Sequence, residues 1–149
     1  MYDERIDSVL LARYIIQQAQ KKGIYDMSIT KLQKLLYAFD GGMLANDINI
    51  VNENCKAWQY GPVYPKVFKK INPDDFEKDY SKLEFPEITN SKYKNEIEAM
   101  VNAVLDVFGK YTAVQLSSWS HMEGSPWSQT AINQIIPKEL IKEYFTRKE

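Results

Sequence analysis

One cysteine, Cys55, and one histidine, His121, are the side chains best suited to chemistry in this 149-residue chain. Paired in space, they would be a thiol nucleophile and its base. A structural zinc site needs about four Cys or His ligands, and this chain offers one of each. A metal site is therefore not expected. No Gly-rich loop precedes a lysine at P-loop spacing, and no G-x-G-x-x-G occurs. A lone cysteine is more often a small buried apolar residue than a nucleophile. His121 falls near the end of a helical stretch, before Met122-Glu123-Gly124. There it can interact with the helix dipole or hydrogen-bond a carbonyl that locks the turn. Nothing near it in sequence supplies an obvious nucleophile, so the structural reading of His121 is preferred to proton transfer.

The most distinctive segment carries no such chemistry. Ala57-Trp58-Gln59-Tyr60-Gly61-Pro62-Val63-Tyr64-Pro65-Lys66-Val67-Phe68 holds aromatics, a Gly-Pro pair and a second proline between polar stretches. It specifies shape. Gly61 precedes a proline and is pushed out of the α region, so Tyr60-Gly61-Pro62 is expected to turn. Trp58, Tyr60, Tyr64, Trp119 and Trp127 can pack a core or form a partner surface, since Tyr and Trp are enriched in binding hot spots. Spacing alone does not separate these two readings. Lys66, Lys69 and Lys70 read as a solvated helix face and secondarily as a contact for an acidic partner.

Composition narrows the function classes. Hydrophobic residues are 44% and charged residues 26% of the chain, enough apolar material for one core. The formal net charge is -1, which argues against a nonspecific nucleic-acid binder or a polybasic membrane anchor. No apolar run approaches a membrane span, and the polar start MYDERIDSV has no signal-peptide core. A single cysteine fits a reducing cytosol.

The elements that must position these residues are mainly helices. Asp3 is expected to cap a first helix with Ile6, Val9, Leu10 and Tyr14 on one stripe, stopping at Gly23. A second helix starts at Ser28, or at Thr30 with Gln33 as a capping box. It carries Ile29, Leu32, Leu35, Leu36, Phe39 and Met43. Gly41-Gly42 implies either its early end or close approach by another backbone. A short hairpin is expected around Asn52-Glu53-Asn54, joining Ile48 and Ile50 to Cys55–Trp58. Pro62 or Pro65 opens a helix with Val67 and Phe68. Residues 72–89 read as a long connection with a short strand near Phe76–Tyr80.

Ile97, Val101, Val104, Leu105 and Phe108 mark a helix ending at Gly109. Thr112 and Gln115 box the next, which contains Leu116, Trp119 and Ser120. Ser125 caps a short helix with Pro126 at its first position, and Pro137 starts the last. The expectation is a mainly α, single compact domain over residues 1–149, with about six helices and a small central β-hairpin.

Three stretches resemble a known family. Ser28-Ile29-Thr30-Lys31-Leu32-Gln33-Lys34-Leu35-Leu36-Tyr37-Ala38-Phe39 is similar to its "KLQKLLYF" helix. Ala57 to Pro65 resembles its "AWxYGPVxP" motif. Leu116 to His121, continuing to Ser125-Pro126-Trp127, resembles its "LSxxTH…SPW" motif. The family is the Panacea domain, of SocA-type and GepA-like phage-associated proteins. The three motifs occur in order, and the similarity spans roughly residues 5–132. Ser120 replaces a common threonine, and Ala38-Phe39 inverts the usual Phe-Ala.

The resemblance implies a cytoplasmic antitoxin without enzymatic activity or cofactor. It implies binding to a cognate toxin encoded beside it, and for the SocA-type branch delivery of that toxin to the ClpXP protease. It places Trp58, Tyr60, Gly61, Pro62, Val63, Tyr64 and Pro65, with Trp119, His121, Ser125, Pro126 and Trp127, as scaffold or partner-contact residues. A family that recognises unrelated toxins is expected to vary its contact surface, so these shared motifs mark scaffold first. The alternatives are a phage-encoded regulatory or adaptor protein acting on a host protein, an enzyme using His121, and a helical DNA-binding module disfavoured by the charge balance.

Overall fold

The computed structural model describes residues 4–147. Strand β1 (Ile6–Asp7) runs directly into helix α1 (Ser8–Lys21). The cap is Asp7, whose carboxylate accepts from the Leu10 amide at 3.2 Å. Asp3, the expected cap, lies outside the described residues. Helix α1 stops at Lys22, and Gly23 follows at φ 75°, the left-handed position that ends many helices.

Helix α2 (Ile29–Ala45) is capped by Ser28, whose hydroxyl accepts from the Lys31 amide at 3.1 Å. The Thr30–Gln33 box does not form, because Gln33 is buried and serves another segment. Its side chain accepts from the Tyr64 amide at 2.7 Å and donates to the Tyr64 carbonyl at 3.2 Å. Gly41 and Gly42 neither end the helix nor admit another backbone. They are notches for side chains: a Cβ on Gly41 would lie 2.3 Å from the Phe145 ring, and one on Gly42 2.5 Å from the Met100 sulfur. Every residue from Lys31 to Gly41 is buried, which identifies α2 as the axis of the fold.

Two short two-stranded sheets flank it. Strand β2 (Val51–Asn52) pairs in parallel with β1, and β3 (Lys56–Trp58) pairs antiparallel with β4 (Gly61–Val63). The hairpin therefore turns at Gln59-Tyr60, not at Asn52-Glu53-Asn54. Glu53 is occupied otherwise, accepting from the Ser8 hydroxyl and the Lys66 amide, both at 2.6 Å. Gly61 begins β4 at φ 116°, a conformation that favours glycine. Pro62 lies in that strand, and Pro65 takes the first position of α3 (Pro65–Lys70).

The expected strand near Phe76–Tyr80 is instead a 3-10 turn over Pro73–Glu77. Asp75 closes it by accepting from the Asn72 amide at 2.8 Å. Helices α4 (Pro86–Thr89), α5 (Lys94–Phe108), α6 (Ala113–Ser120) and α7 (Lys138–Thr146) follow. The described residues thus hold seven α-helices: α4 adds a single turn inside the expected connection, while the short helix expected at Ser125-Pro126 is a 3-10 turn over Trp127–Gln129 with Pro126 as its cap. Helix α5 ends at Gly109, and the Thr112–Gln115 box opens α6 with bonds of 3.1 and 2.8 Å. The core gathers Leu32, Leu35, Leu36 and Phe39 of α2 with Leu11 and Ile15 of α1, Ile97 and Val101 of α5, Leu116 of α6 and Ile141 of α7.

Candidate functional site

The hairpin β3–β4 is held by a row of captured carbonyls. The Ile136 amide donates to the Cys55 carbonyl at 2.9 Å, and the Asn133 amide to that of Ala57 at 2.7 Å. Trp127 Nε1 then donates to the Trp58 carbonyl at 2.6 Å. His121 Nε2 faces the Gln59 carbonyl at 2.9 Å, and the Ser117 hydroxyl donates to that of Tyr60 at 3.3 Å. Three consecutive carbonyls at the turn are thus bound by side chains from α6 and from the 3-10 turn Trp127–Gln129 that follows it. A tight turn leaves such groups without ladder partners, and side chains supply them here.

His121 is spent on this work. Its Nδ1 lies 2.5 Å from the Ser117 carbonyl. A neutral ring can donate to one of its two carbonyls, and an imidazolium to both. The ring also packs at a tilt against Trp127, with centroids 4.0 Å apart. Gly61 fits against the His121 ring because it has no side chain. A Cβ there would meet Ser120 Oγ at 2.6 Å, Lys34 Cε at 2.8 Å and His121 Cε1 at 3.2 Å. Ser125 is buried, and its hydroxyl accepts from the Ser128 amide at 3.2 Å. Pro126 stands beside it, also buried.

The remaining motif residues divide by depth. Val63 and Tyr64 are buried, and the Tyr64 hydroxyl donates to Asp40 Oδ2 at 2.7 Å. Trp58 is half-buried with its ring edge on Phe68, centroids 5.3 Å apart. Trp119 packs among Tyr37, Phe108 and Phe145. Tyr60 is 68% exposed at the tip. It lines an open groove of about 490 Å³ with Val114, Ser117, Ser118 and His121.

Beside the hairpin lies a buried polar cluster that sequence reasoning did not single out as a group. Asp40 is buried, and loss of water pushes its carboxyl above the ordinary range, with Lys138 opposing. Asp40 Oδ1 sits 3.5 Å from Lys138 Nζ, an ion-pair distance, and receives no hydrogen bond. Burial lowers Lys34 to about 8. Burial also pushes the Cys55 thiol and the Tyr37 and Tyr64 hydroxyls upward, so the thiol is kept from its nucleophilic form. One signal could have revealed the α2 members of this cluster: apolar residues recur on every side of α2, which leaves no wholly polar face to turn to water.

Neither Cys55 nor His121 is thus available as half of a nucleophilic pair. Among the described residues no group of three or more His, Cys, Asp or Glu is placed to hold a metal ion. Among them, too, no helix is long and apolar enough to cross a membrane.

The family model for the antitoxin SocA-like, Panacea domain matches residues 32–128. This chain belongs to that family. The matched span runs from the first turn of α2 through the hairpin to the 3-10 turn, so it contains the hairpin and the Ser117, His121 and Trp127 side chains that meet its carbonyls. Antitoxin SocA of Caulobacter vibrioides (strain NA1000 / CB15N) is similar, 29% identical over 138 residues, covering 86% of this chain and 72% of that protein. No solved structure matches the chain. Membership in the SocA-like family supports an antitoxin role and a regulatory rather than catalytic protein. Helices α1 and α7 lie outside the span that defines the Panacea domain here.

Proposed function

We propose that this Panacea-domain chain neutralises a protein toxin by binding it directly, in the cytoplasm and without a cofactor. One observation carries the reading beyond family membership: the groups capable of chemistry are consumed internally. His121 serves two carbonyls, and Cys55 is buried. A protein whose reactive groups hold its own backbone acts through its surface. Trp58, Gly61, Pro62, Val63, Tyr64, Pro65, Trp119, His121, Ser125, Pro126 and Trp127 then form the scaffold. Tyr60, exposed at the hairpin tip, is the motif residue open to a partner.

The test is co-expression with the product of the neighbouring gene. Growth rescue together with a co-purifying complex supports the proposal, and failure of both overturns it. Delivery to ClpXP is the finer form of the same reading. It predicts that rescue is lost in a host lacking the protease and that the toxin's half-life shortens only when both proteins are present. Rescue that persists without ClpXP leaves direct occlusion as the mechanism.

A further inference from the structure

Lysines and apolar side chains share one outer face of the hairpin. Residues 133–136 lie antiparallel beside β3, held by the amides of Asn133 and Ile136. Alternation along β3 sends Ala57 into the core and Lys56 and Trp58 to the opposite face. Ile135 stands directly beside Lys56 in this pairing and shares its face. The Phe68 ring of α3 packs edge-on against Trp58, with centroids 5.3 Å apart. Phe68 is 50% exposed and Ile135 49%, so water reaches both.

The charge on this face has one sign. No aspartate or glutamate occurs between Glu53 and Asp74, or between Glu123 and Glu139, the two stretches that build it. The whole chain holds 20 acidic and 19 basic residues, so this local imbalance is not a matter of composition. Two lysines of these stretches are neutralised from elsewhere, Lys66 by Asp7 and Lys138 by Asp40. Glu53, at the border, is taken by the Ser8 hydroxyl and the Lys66 amide. Lys56, Lys69 and Lys70 have no ion pair among the described residues, and the last two are exposed. A single exposed aromatic is ordinary on a protein surface. Here the aromatic sits on a second ring and is accompanied by cations without counter-charge. That combination supplies an apolar centre and a charged rim, the two parts of a specific interface.

We propose that this face, centred on Phe68 and rimmed by Lys56, Lys69 and Lys70, binds the toxin through an acidic segment that presents an apolar side chain between carboxylates. The apolar side chain packs on Phe68 and Ile135, and the carboxylates meet the lysines. Trp58 supports Phe68 from below and keeps its place in the scaffold. Three lysines are few for a phosphate backbone, and a net charge of -1 repels one. The same lysines suit a carboxylate-bearing protein segment, whose charge they match without a polyanion's demand. The inference rests on the protein-binding reading for the partner, and adds the surface and the chemistry that recognises it.

The test measures the affinity of the full chain for the purified product of the neighbouring gene, by biolayer interferometry at low and at high salt. Phe68→Ala is expected to weaken binding about tenfold or more. Lys56→Glu/Lys69→Glu should weaken it about tenfold or more at low salt and remove most of its salt dependence. Lys56→Arg/Lys69→Arg keeps the charge and should stay within about twofold of the wild type. So should Lys82→Glu, the same reversal at an exposed lysine outside these stretches. Thermal unfolding of the lysine variants should match the wild type, because these side chains hold no ion pair in the fold. Phe68 and lysine variants that bind as the wild type does would overturn the proposal and leave the protein-binding reading standing. Absence of binding by the wild type would overturn that reading and this inference with it. A short DNA duplex retarded in a gel by the wild type but not by Lys56→Glu/Lys69→Glu would assign the face to nucleic acid, and that too would overturn the proposal.

Discussion

At the residue scale, Gly61 shows how one missing side chain joins the motifs. Its φ of 116° already disfavours a Cβ, and the space where a Cβ would sit is taken by Ser120 Oγ and Lys34 Cε. Gly124 provides a built-in comparison. It too has a positive φ, 88°, but nothing lies within 4 Å of its ideal Cβ. Gly124→Ala therefore costs only the backbone term, about 1–2 kcal/mol. Gly61→Ala adds the displacement of two packed side chains and is expected to cost about 3 kcal/mol or more. Urea unfolding of both variants checks this. Equal shifts would mean that Lys34 and Ser120 yield without cost and that the fit at Gly61 is not tight.

Among the elements, the hairpin, the end of α6 and the 3-10 turn after it act as one unit because Ser117, His121 and Trp127 meet the hairpin carbonyls. Trp127→Phe keeps a ring to pack against His121 but removes the Nε1 donor to the Trp58 carbonyl. The loss should be about 1 kcal/mol. It should be local, with hairpin amides at Ala57 and Val63 exchanging roughly fivefold faster while α2 is unchanged. A uniform change across the chain would show that the bond supports global stability instead.

The sequence displayed these elements unevenly. The cap at Thr112 and the stop at Gly109 were legible because they are local rules of residue type and spacing, and the same rules narrowed the start of α2 to Ser28 or Thr30. The hairpin was displaced by one element because its turn has no Asn-Gly signature and draws its hydrogen bonds from residues about 60 positions away, as Gln59 does from His121. Gln33 and Asp40 were legible only through the apolar residues on every side of α2, and nothing in their spacing links them to Lys138 of α7. Each looks like an ordinary surface residue until α2 is known to be surrounded.

For the whole molecule, the buried charges set a pH dependence whose sign can be worked out. Lys34 titrates near 8 when folded, against an ordinary 10.5. The unfolded chain therefore takes up this proton first as pH falls. The contribution of Lys34 to stability is intact above 10.5, falls as pH drops towards about 8, and is flat below that. The span corresponds to about 3 kcal/mol. Asp40 is shifted the other way, upward. Its contribution is present below the ordinary carboxylate range and is lost as pH rises through its folded value. Both groups therefore oppose the folded state at neutral pH, and the apolar packing around α2 must outweigh them. Lys34→Met keeps the stem that packs beneath Gly61 and removes the buried ammonium. At pH 7 it should raise stability by up to about 3 kcal/mol. The difference between variant and wild type should shrink steadily from pH 8 to 10.5, a window set by the folded and ordinary values of Lys34. Comparing the two chains at each pH cancels the titration of the other lysines and tyrosines, which both share. A difference that stays constant across this window would assign the gain to packing and show that Lys34 is not held as a desolvated charge.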